Sequence, residues 1–259
     1  VGRTGVLTPV AILHTVDIGG VKVQRATLHN FNQTQKLFGK STTLPQNSMV
    51  LVRRAGDVIP QVVKLIAESD STETISVEAP SKCPACGSST ILENDTILRC
   101  SGPPLQCRPR AVAALRHAYS RDALDIKGLS EARIEQLRSQ GLLEKPGDVF
   151  RLDAERLAEL DGWAKKSAQN LVDTARRVAT QGMDLSRFIF ALGIPHVGQH
   201  ASALLATIYT SANEFLQDLQ QSGKASSFAR LEQDTEQTKG IGPALIAELR
   251  RFGSQPEMI

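Results

Sequence analysis

Four cysteines fall within 25 residues of a 259-residue chain, as Cys83-Pro-Ala-Cys86, then Cys100 and Cys107. A C-x2-C knuckle lets two thiolates bind one ion from a tight turn, with Gly87 easing the backbone, and a distal pair closes a tetrahedron. Four thiolates fill the coordination shell, so the spacing predicts one structural zinc ion with no open position for water or substrate. Two disulfides would need an oxidising compartment, and no signal sequence points to one. A redox C-x-x-C belongs at a helix start and would leave Cys100 and Cys107 unexplained. His117, further on, reads as a surface or helix-packing residue and not as a ligand.

The second chemical signal is a glycine-centred hairpin that recurs four times, as Ile126-Lys127-Gly128-Leu129-Ser130, Leu160-Asp161-Gly162-Trp163-Ala164, Ile194-Pro195-His196-Val197-Gly198 and Thr238-Lys239-Gly240-Ile241-Gly242. The first glycine position falls at 128, 162, 196 and 240, and a leucine follows the second glycine position by seven residues in each copy: Leu137, Leu171, Leu205 and Leu249. Ile134, Ala168, Ser202 and Ile246 stand three residues before those leucines, so one helix face follows one hairpin four times over. The pattern resembles the helix-hairpin-helix DNA-binding motif. Glycine permits positive φ and close backbone approach, and the apolar residue between the two glycine positions anchors the turn. Backbone N–H groups opening the second helix can then bind a phosphate oxygen, aided by the helix dipole. The copies are unequal: Ser130 and Ala164 replace the second glycine, and His196 replaces the first. Trp163 sits at an anchor position and reads first as core, with a wedge into DNA as the second reading. Lys127, Lys165 and Lys239 flank hairpins and can add charge.

These sites need elements to carry them. Val21-Lys22-Val23 alternates as a strand after the tight turn Gly19-Gly20, Asn30 to Phe38 is helix-like, and β-branched runs at Met49–Val52 and Val58–Ile66 flank Ala55-Gly56-Asp57, with Ile75-Ser76-Val77 as a last short strand. About five strands and one helix in roughly 80 residues fit a small barrel of the OB type. From Pro109 onward the periodicity is helical. The expected class is therefore multi-domain α+β: a small β-barrel (OB-fold) over 1–79, a four-cysteine zinc finger over 80–109 and an all-α helix-hairpin-helix domain over 110–259.

Charge follows the same division. Residues 1–80 hold 8 basic and 6 acidic side chains, residues 81–120 hold 5 and 2, and residues 121–259 hold 17 and 19, for a net +3. A slightly acidic segment can still bind DNA when the donors are peptide groups, which read no bases. The first 80 residues contain only Phe31 and Phe38 as aromatics, too few to stack a single strand, so duplex backbone is the expected target. Consecutive Arg53 and Arg54 place at least one guanidinium outward at a strand end, for a phosphate or for solvent. Lys82, Arg99, Arg108, Arg110 and Arg116 give the zinc segment a basic surplus open to the same two readings. Gly39-Lys40-Ser41 lacks the leading glycine of a phosphate loop. Ordinary globular composition excludes a fibrous or disordered chain, and no apolar run reaches the roughly 18 residues of a membrane helix.

A barrel, a four-cysteine module and tandem hairpins in this order resemble the NAD-dependent DNA ligases of bacteria. The likeness is carried by Val1-Gly-Arg-Thr-Gly-Val-Leu-Thr-Pro-Val10, Ala26-Thr-Leu-His-Asn30, Arg53-Arg-Ala-Gly-Asp-Val-Ile-Pro-Gln61, Cys83-Pro-Ala-Cys-Gly87, Leu124-Asp-Ile-Lys-Gly128, Lys166-Ser-Ala-Gln-Asn170 and Phe190-Ala-Leu-Gly-Ile194. It implies the DNA-clamping portion of an enzyme that seals nicks in duplex DNA during replication and repair. DNA contacts are expected at Arg53, Arg54, Lys127, Gly128, Gly162, Lys165, Gly198, Lys239, Gly240 and Gly242, with Cys83, Cys86, Cys100 and Cys107 on zinc. In that family a separate domain carries a nucleophilic lysine in Lys-x-Asp-Gly, which does not occur here. No catalytic residue is therefore expected in this chain, and NAD and magnesium belong to the parent enzyme. The opening Val-Gly-Arg-Thr-Gly reads as cut from a longer protein or as an incomplete record. Expected partners are nicked duplex DNA and the parent's N-terminal adenylation and C-terminal BRCT domains, in a monomeric, cytoplasmic, nucleoid-associated protein. A freestanding, non-catalytic DNA-binding repair accessory protein is the main alternative, and a zinc-stapled scaffold for protein partners is another.

Overall fold

Apolar residues at every second position give strands that bury one face. In the computed structural model they form β1 (Val10–Ile18), β2 (Val21–Thr27), β3 (Thr43–Pro45), β4 (Met49–Ala55), β5 (Ile59–Ala67) and β6 (Thr74–Ser76), with helix α1 (Phe31–Phe38) after β2. The structure describes residues 1–39, 43–55, 59–221, 228–233 and 240–255. Two compact units form, Val1–Gly102 and Pro103–Ile259.

In the first unit β1, β2, β5 and β4 make one sheet in that order, and β3 pairs with β6. Gly19 and Gly20 turn the β1–β2 hairpin with φ of 61° and 79°, and Asp17 Oδ1 accepts the Gly20 N–H at 2.9 Å. Asn30 caps α1 by accepting the N–H of Gln33. Ala26, Leu28, Phe38, Leu44, Val62 and Val77 form the core. The described residues of 1–79 hold six strands where the sequence predicts about five. The three-residue β3 is the addition, and a segment so short carries no readable period. The predicted turn at Gly56-Asp57 lies outside the described residues, as does Lys40-Ser41.

The same unit continues into a second hairpin, β7 (Thr90–Glu93) and β8 (Ile97–Cys100), turned at Asn94 and Asp95 with φ of 48° and 55°. The first residues of the chain run beside β8: Leu7 N–H donates to Leu98 O at 2.8 Å and Cys100 N–H to Gly5 O at 2.9 Å. Arg99 pairs with Glu93 at 2.8 Å and also reaches Thr4 O. The four-cysteine segment through Gly102 thus falls in one fold unit with the barrel, whereas Cys107 falls in the second.

The second unit is helical, with α2 (Arg108–Ala118), α3 (Glu131–Ser139), α4 (Ala154–Ala158), α5 (Lys165–Gln181), α6 (Leu185–Ala191), α7 (Gln199–Ile208), α8 (Ala212–Gln220), α9 (Ala229–Gln233) and α10 (Pro243–Gly253). Two hydrophobic clusters divide it. One gathers Leu115, Ile134, Leu137, Trp163 and Leu171 around the first two hairpins, and the other gathers Ile194, Leu205, Phe215, Ile246 and Leu249 around the last two. Successive hairpins therefore share cores in pairs. Among the described residues the longer step before the fourth hairpin holds α7, α8 and α9, one helix more than α5 and α6 in the step before it. No helix among the described residues is long and apolar enough to cross a membrane.

Candidate metal centre and nucleic-acid interface

The Sγ atoms of Cys83, Cys86, Cys100 and Cys107 all lie within 4.8 Å of one another, and none of the four cysteines is bridged by a disulfide. Tetrahedral Zn–S bonds of about 2.3 Å place sulfurs roughly 3.8 Å apart, so the cluster fits an ion of that size. Cys86 and Cys100 approach to 3.5 Å. Local structure explains the convergence. Gly87 turns the knuckle at φ 74°, β8 delivers Cys100, and Cys107 is the N-cap of α2, where the helix dipole favours a thiolate. Cys83, Cys100 and Cys107 are buried while Cys86 is partly exposed.

Two residues that the sequence did not single out support the sulfurs. Ser88 Oγ lies 3.4 Å from Cys86 Sγ, and the Ser88 hydroxyl and backbone N–H draw that thiol down to about 6. Burial instead pushes the Cys100 thiol up, partly offset by the Gly102 N–H. Metal binding must therefore displace a proton from Cys100, at the cost that a closed thiolate shell repays. A Cβ on Gly102 would stand 2.4 Å from Ser88 Oγ and 3.5 Å from Cys86 Sγ, so glycine leaves the room that Ser88 fills. The sequence Cys-Gly-Ser after the knuckle was the available signal for Ser88.

The basic surplus of this segment is largely engaged within the protein. Arg99, Arg108 and Arg116 pair with Glu93, Glu135 and Glu131 at 2.8, 3.3 and 3.3 Å, and Arg110 is buried. His117 packs as expected: a ring nitrogen lies 2.7 Å from Phe190 O and its ring meets Phe190 edge-on.

The four hairpins share one backbone conformation. The first glycine position has φ of 95° at Gly128, 76° at Gly162, 63° at His196 and 120° at Gly240. The second position, Ser130, Ala164, Gly198 or Gly242, is the N-cap of the following helix, with negative φ in every copy. Only the first position demands the left-handed region, so Ser130 and Ala164 replace the second glycine without strain, and the sequence reading that gave both glycines one role is corrected. Between them Trp163, Val197 and Ile241 are buried and Leu129 is partly buried, while the positions on either side are exposed. The following helices bury Leu137, Leu171, Leu205 and Leu249 together with Ile134, Ala168, Ser202 and Ile246.

His196 holds the left-handed conformation without glycine's freedom. His196→Val is expected to cost about 1–2 kcal/mol, because a β-branched side chain clashes there, whereas His196→Gly is tolerated. Thermal unfolding of the two variants measures the difference.

The helix starts differ in what they offer an anion. In α3 the Ser130 hydroxyl already accepts the Arg133 N–H, and Glu131 occupies the first turn. The first turns of α5, α7 and α10 hold no acidic residue, and their N-cap side chains accept no N–H. Lys165 opens α5 and is exposed, as is Lys127 before Gly128; Lys239 lies outside the described residues. On the barrel, Arg53 is exposed and Arg54 half-buried, as alternation requires. With its amide oriented to satisfy both neighbours, buried Gln61 accepts from Arg53 Nε at 2.8 Å and donates to His29 Nε2 at 2.8 Å. That contact orders the Arg53 fork at the barrel surface.

The family model for the NAD-dependent DNA ligase OB-fold domain matches residues 1–74, and one for a SAM-like helix-hairpin-helix tandem matches residues 120–177. A DNA ligase of Rhodospirillum rubrum is 40% identical over 265 residues, covering 97% of this chain and 36% of the relative. A DNA ligase of Syntrophobacter fumaroxidans is 42% identical over 207 residues, covering 80% and 29%, and one of Nitrosococcus oceani is 39% identical over 258 residues, covering 99% and 35%. The chain thus spans about a third of the length of the curated relatives it matches. The two family models fall on the barrel and on the first hairpins, the relatives align along most or nearly all of the chain, and the chain, with its OB-fold, four-cysteine cluster and helix-hairpin-helix tandem, accordingly belongs to the bacterial NAD-dependent DNA ligases.

Proposed function

We propose that these 259 residues are the DNA-clamping part of a ligase that seals nicks in duplex DNA during replication and repair. The supporting observation is one hairpin conformation repeated four times, each with exposed flanks and a buried or partly buried anchor, and three of them opening a helix with no N-cap side-chain bond and no acidic residue in its first turn. The starts of α5, α7 and α10, at Gly162 to Lys165, Gly198 and Gly240 to Gly242, take backbone phosphates through peptide N–H groups. The first hairpin adds the Lys127 side chain beside Gly128, Lys239 adds charge at the fourth, and Arg53 and Arg54 meet phosphates from the barrel. Peptide donors on phosphate carry no sequence information, so binding is insensitive to base sequence.

The segments 1–79, 80–109 and 110–259 serve as barrel, brace and clamp, and the ion on Cys83, Cys86, Cys100 and Cys107 is a structural zinc. NAD, magnesium and the adenylation step belong to a Lys-x-Asp-Gly domain of the parent, which also carries a BRCT domain and works as a monomer at the nucleoid. These 259 residues by themselves take up no AMP from NAD.

Titration of labelled duplexes of two unrelated sequences across a salt series tests the clamp. Expected are similar affinities for both duplexes and a linear fall of log K with log salt, with a slope of about 0.9 per phosphate neutralised. Absence of binding at low salt, or affinity indifferent to salt, would sink the reading.

A further inference from the structure

We infer that Arg133 and Gln136 on α3 position the second hairpin for its phosphate, an inference that rests on the DNA-binding reading above. The two residues lie one turn apart on one helix face, and together they hold the second hairpin on either side of Gly162. Gln136 Nε2 donates to Asp161 O at 2.8 Å, and Gln136 Oε1 accepts the Trp163 indole N–H at 2.8 Å. The Arg133 guanidinium stands 4.2 Å over the centre of the Trp163 ring and donates through Nη1 to Gly128 O at 2.9 Å. One side chain thus joins the turn of the first hairpin to the anchor of the second.

The chemistry of the turn makes such a brace useful. Gly162 has no side chain to fix its left-handed backbone, and nothing lies within 4 Å of where its Cβ would be. Trp163 is followed at once by Ala164, the N-cap of α5, whose side chain offers no hydrogen bond to the first turn. Ser167 Oγ accepts the Ala164 N–H at 3.1 Å, and the way this capped turn enters α5 follows the seating of the indole, which Arg133 and Gln136 hold. The first hairpin is the poorest anion seat of the four, with Ser130 and Glu131 at its helix start. Its helix supplies the brace for its neighbour. In the other pair the contact is apolar: a Cβ on Gly240 would stand 2.9 Å from a Leu204 methyl of α7.

Trp163 is the single tryptophan of the chain, which makes the brace observable. The 259-residue chain carrying Arg133→Ala, Gln136→Ala or Arg133→Lys is titrated with labelled duplex while indole emission is followed. Arg133→Ala is expected to shift the emission to the red and weaken duplex binding about threefold to tenfold, the effect of one cation–π contact. The slope of log K against log salt stays that of the unsubstituted chain, because no phosphate contact is lost. Combined with Lys165→Ala, the loss is smaller than the product of the two single losses, since both act on one hairpin. Arg133→Lys restores part of the affinity by keeping a cation over the ring. Gln136→Ala, which leaves every charge in place, gives the same emission shift and a similar loss, and it serves if Arg133→Ala fails to fold.

A shifted emission with unchanged affinity would overturn the inference by reducing the brace to packing. A salt slope lower by about one in Arg133→Ala would overturn it by making Arg133 itself a phosphate contact. If the unsubstituted chain binds no duplex, the DNA-binding reading falls and takes this inference with it. Normal binding by that chain, with both alanine variants unaffected, defeats the positioning role alone.

Discussion

Cys100→Ser is expected to lower the zinc held by the folded chain from about one equivalent to well under half, and to loosen the β7–β8 hairpin with the chain start that pairs beside it. Cys100 is 2% exposed and sits at the end of β8, where its N–H donates to Gly5 O. Serine at that position leaves three thiolates and a buried hydroxyl, a much poorer donor set for a borderline-soft ion. Structural zinc contributes roughly 10–16 kcal/mol in zinc-finger peptides, comparable with the whole stability of a domain at about 5–15 kcal/mol. The hairpin has little else to hold it: Ile91, Leu92 and Ile97 are exposed, and of its apolar residues Leu98 is the buried one besides Cys100. Metal analysis gives the stoichiometry. Hydrogen exchange at the amides of positions 7 and 100, both donors in the strand pairing, reports the loosening, and chelation of the unsubstituted chain should reproduce it. Full metal content in the variant would show that the four-thiolate site is misassigned.

Leu137→Ala and Leu205→Ala are each expected to destabilise the helical unit by about 2–5 kcal/mol. Both leucines are fully buried, and both occupy the position seven residues beyond a hairpin's second glycine position. They lie in separate clusters, the first with Trp163 and Leu171 and the second with Phe215 and Leu249. The two losses should therefore add to within about 0.5 kcal/mol in the double variant, whereas a pair within one cluster, Leu137 with Leu171, should not. Urea titration followed by helical circular dichroism measures the three single variants, Leu171→Ala included, and the two double variants. Ile12→Ala on the barrel, where Ile12 is 83% exposed, should change stability by less than about 0.5 kcal/mol and serves as the control. Additivity within a cluster, or its failure between clusters, would contradict the pairing of hairpins into two cores.

The division of labour among hairpins was only partly legible in the sequence. Spacing alone located the four turns, their anchors and the buried leucines, because an exposed–buried–exposed turn followed by a 3.6-residue period leaves a regular imprint. The imprint ended at His196, which breaks the glycine pattern yet takes the same positive φ. It also could not separate helix starts that present N–H groups from α3, whose start is capped by Ser130 and flanked by Glu131. Capping and first-turn charge are read from residues that look interchangeable until the N-cap position is known.

What the sequence determined was local: the C-x2-C knuckle, the Gly19-Gly20 hairpin, the Asn30-capped helix and the repeat, each set by residues close in the chain. Tertiary structure decided what depends on residues far apart. The chain start runs beside β8, Arg99 spans from Glu93 to Thr4, and Gln61 orders Arg53 across a strand pair. Arg133 reaches Trp163 although 30 positions separate them in sequence. Such partners are chosen by how packed elements bring their surfaces together, and periodicity along one segment carries no record of the segment it will face.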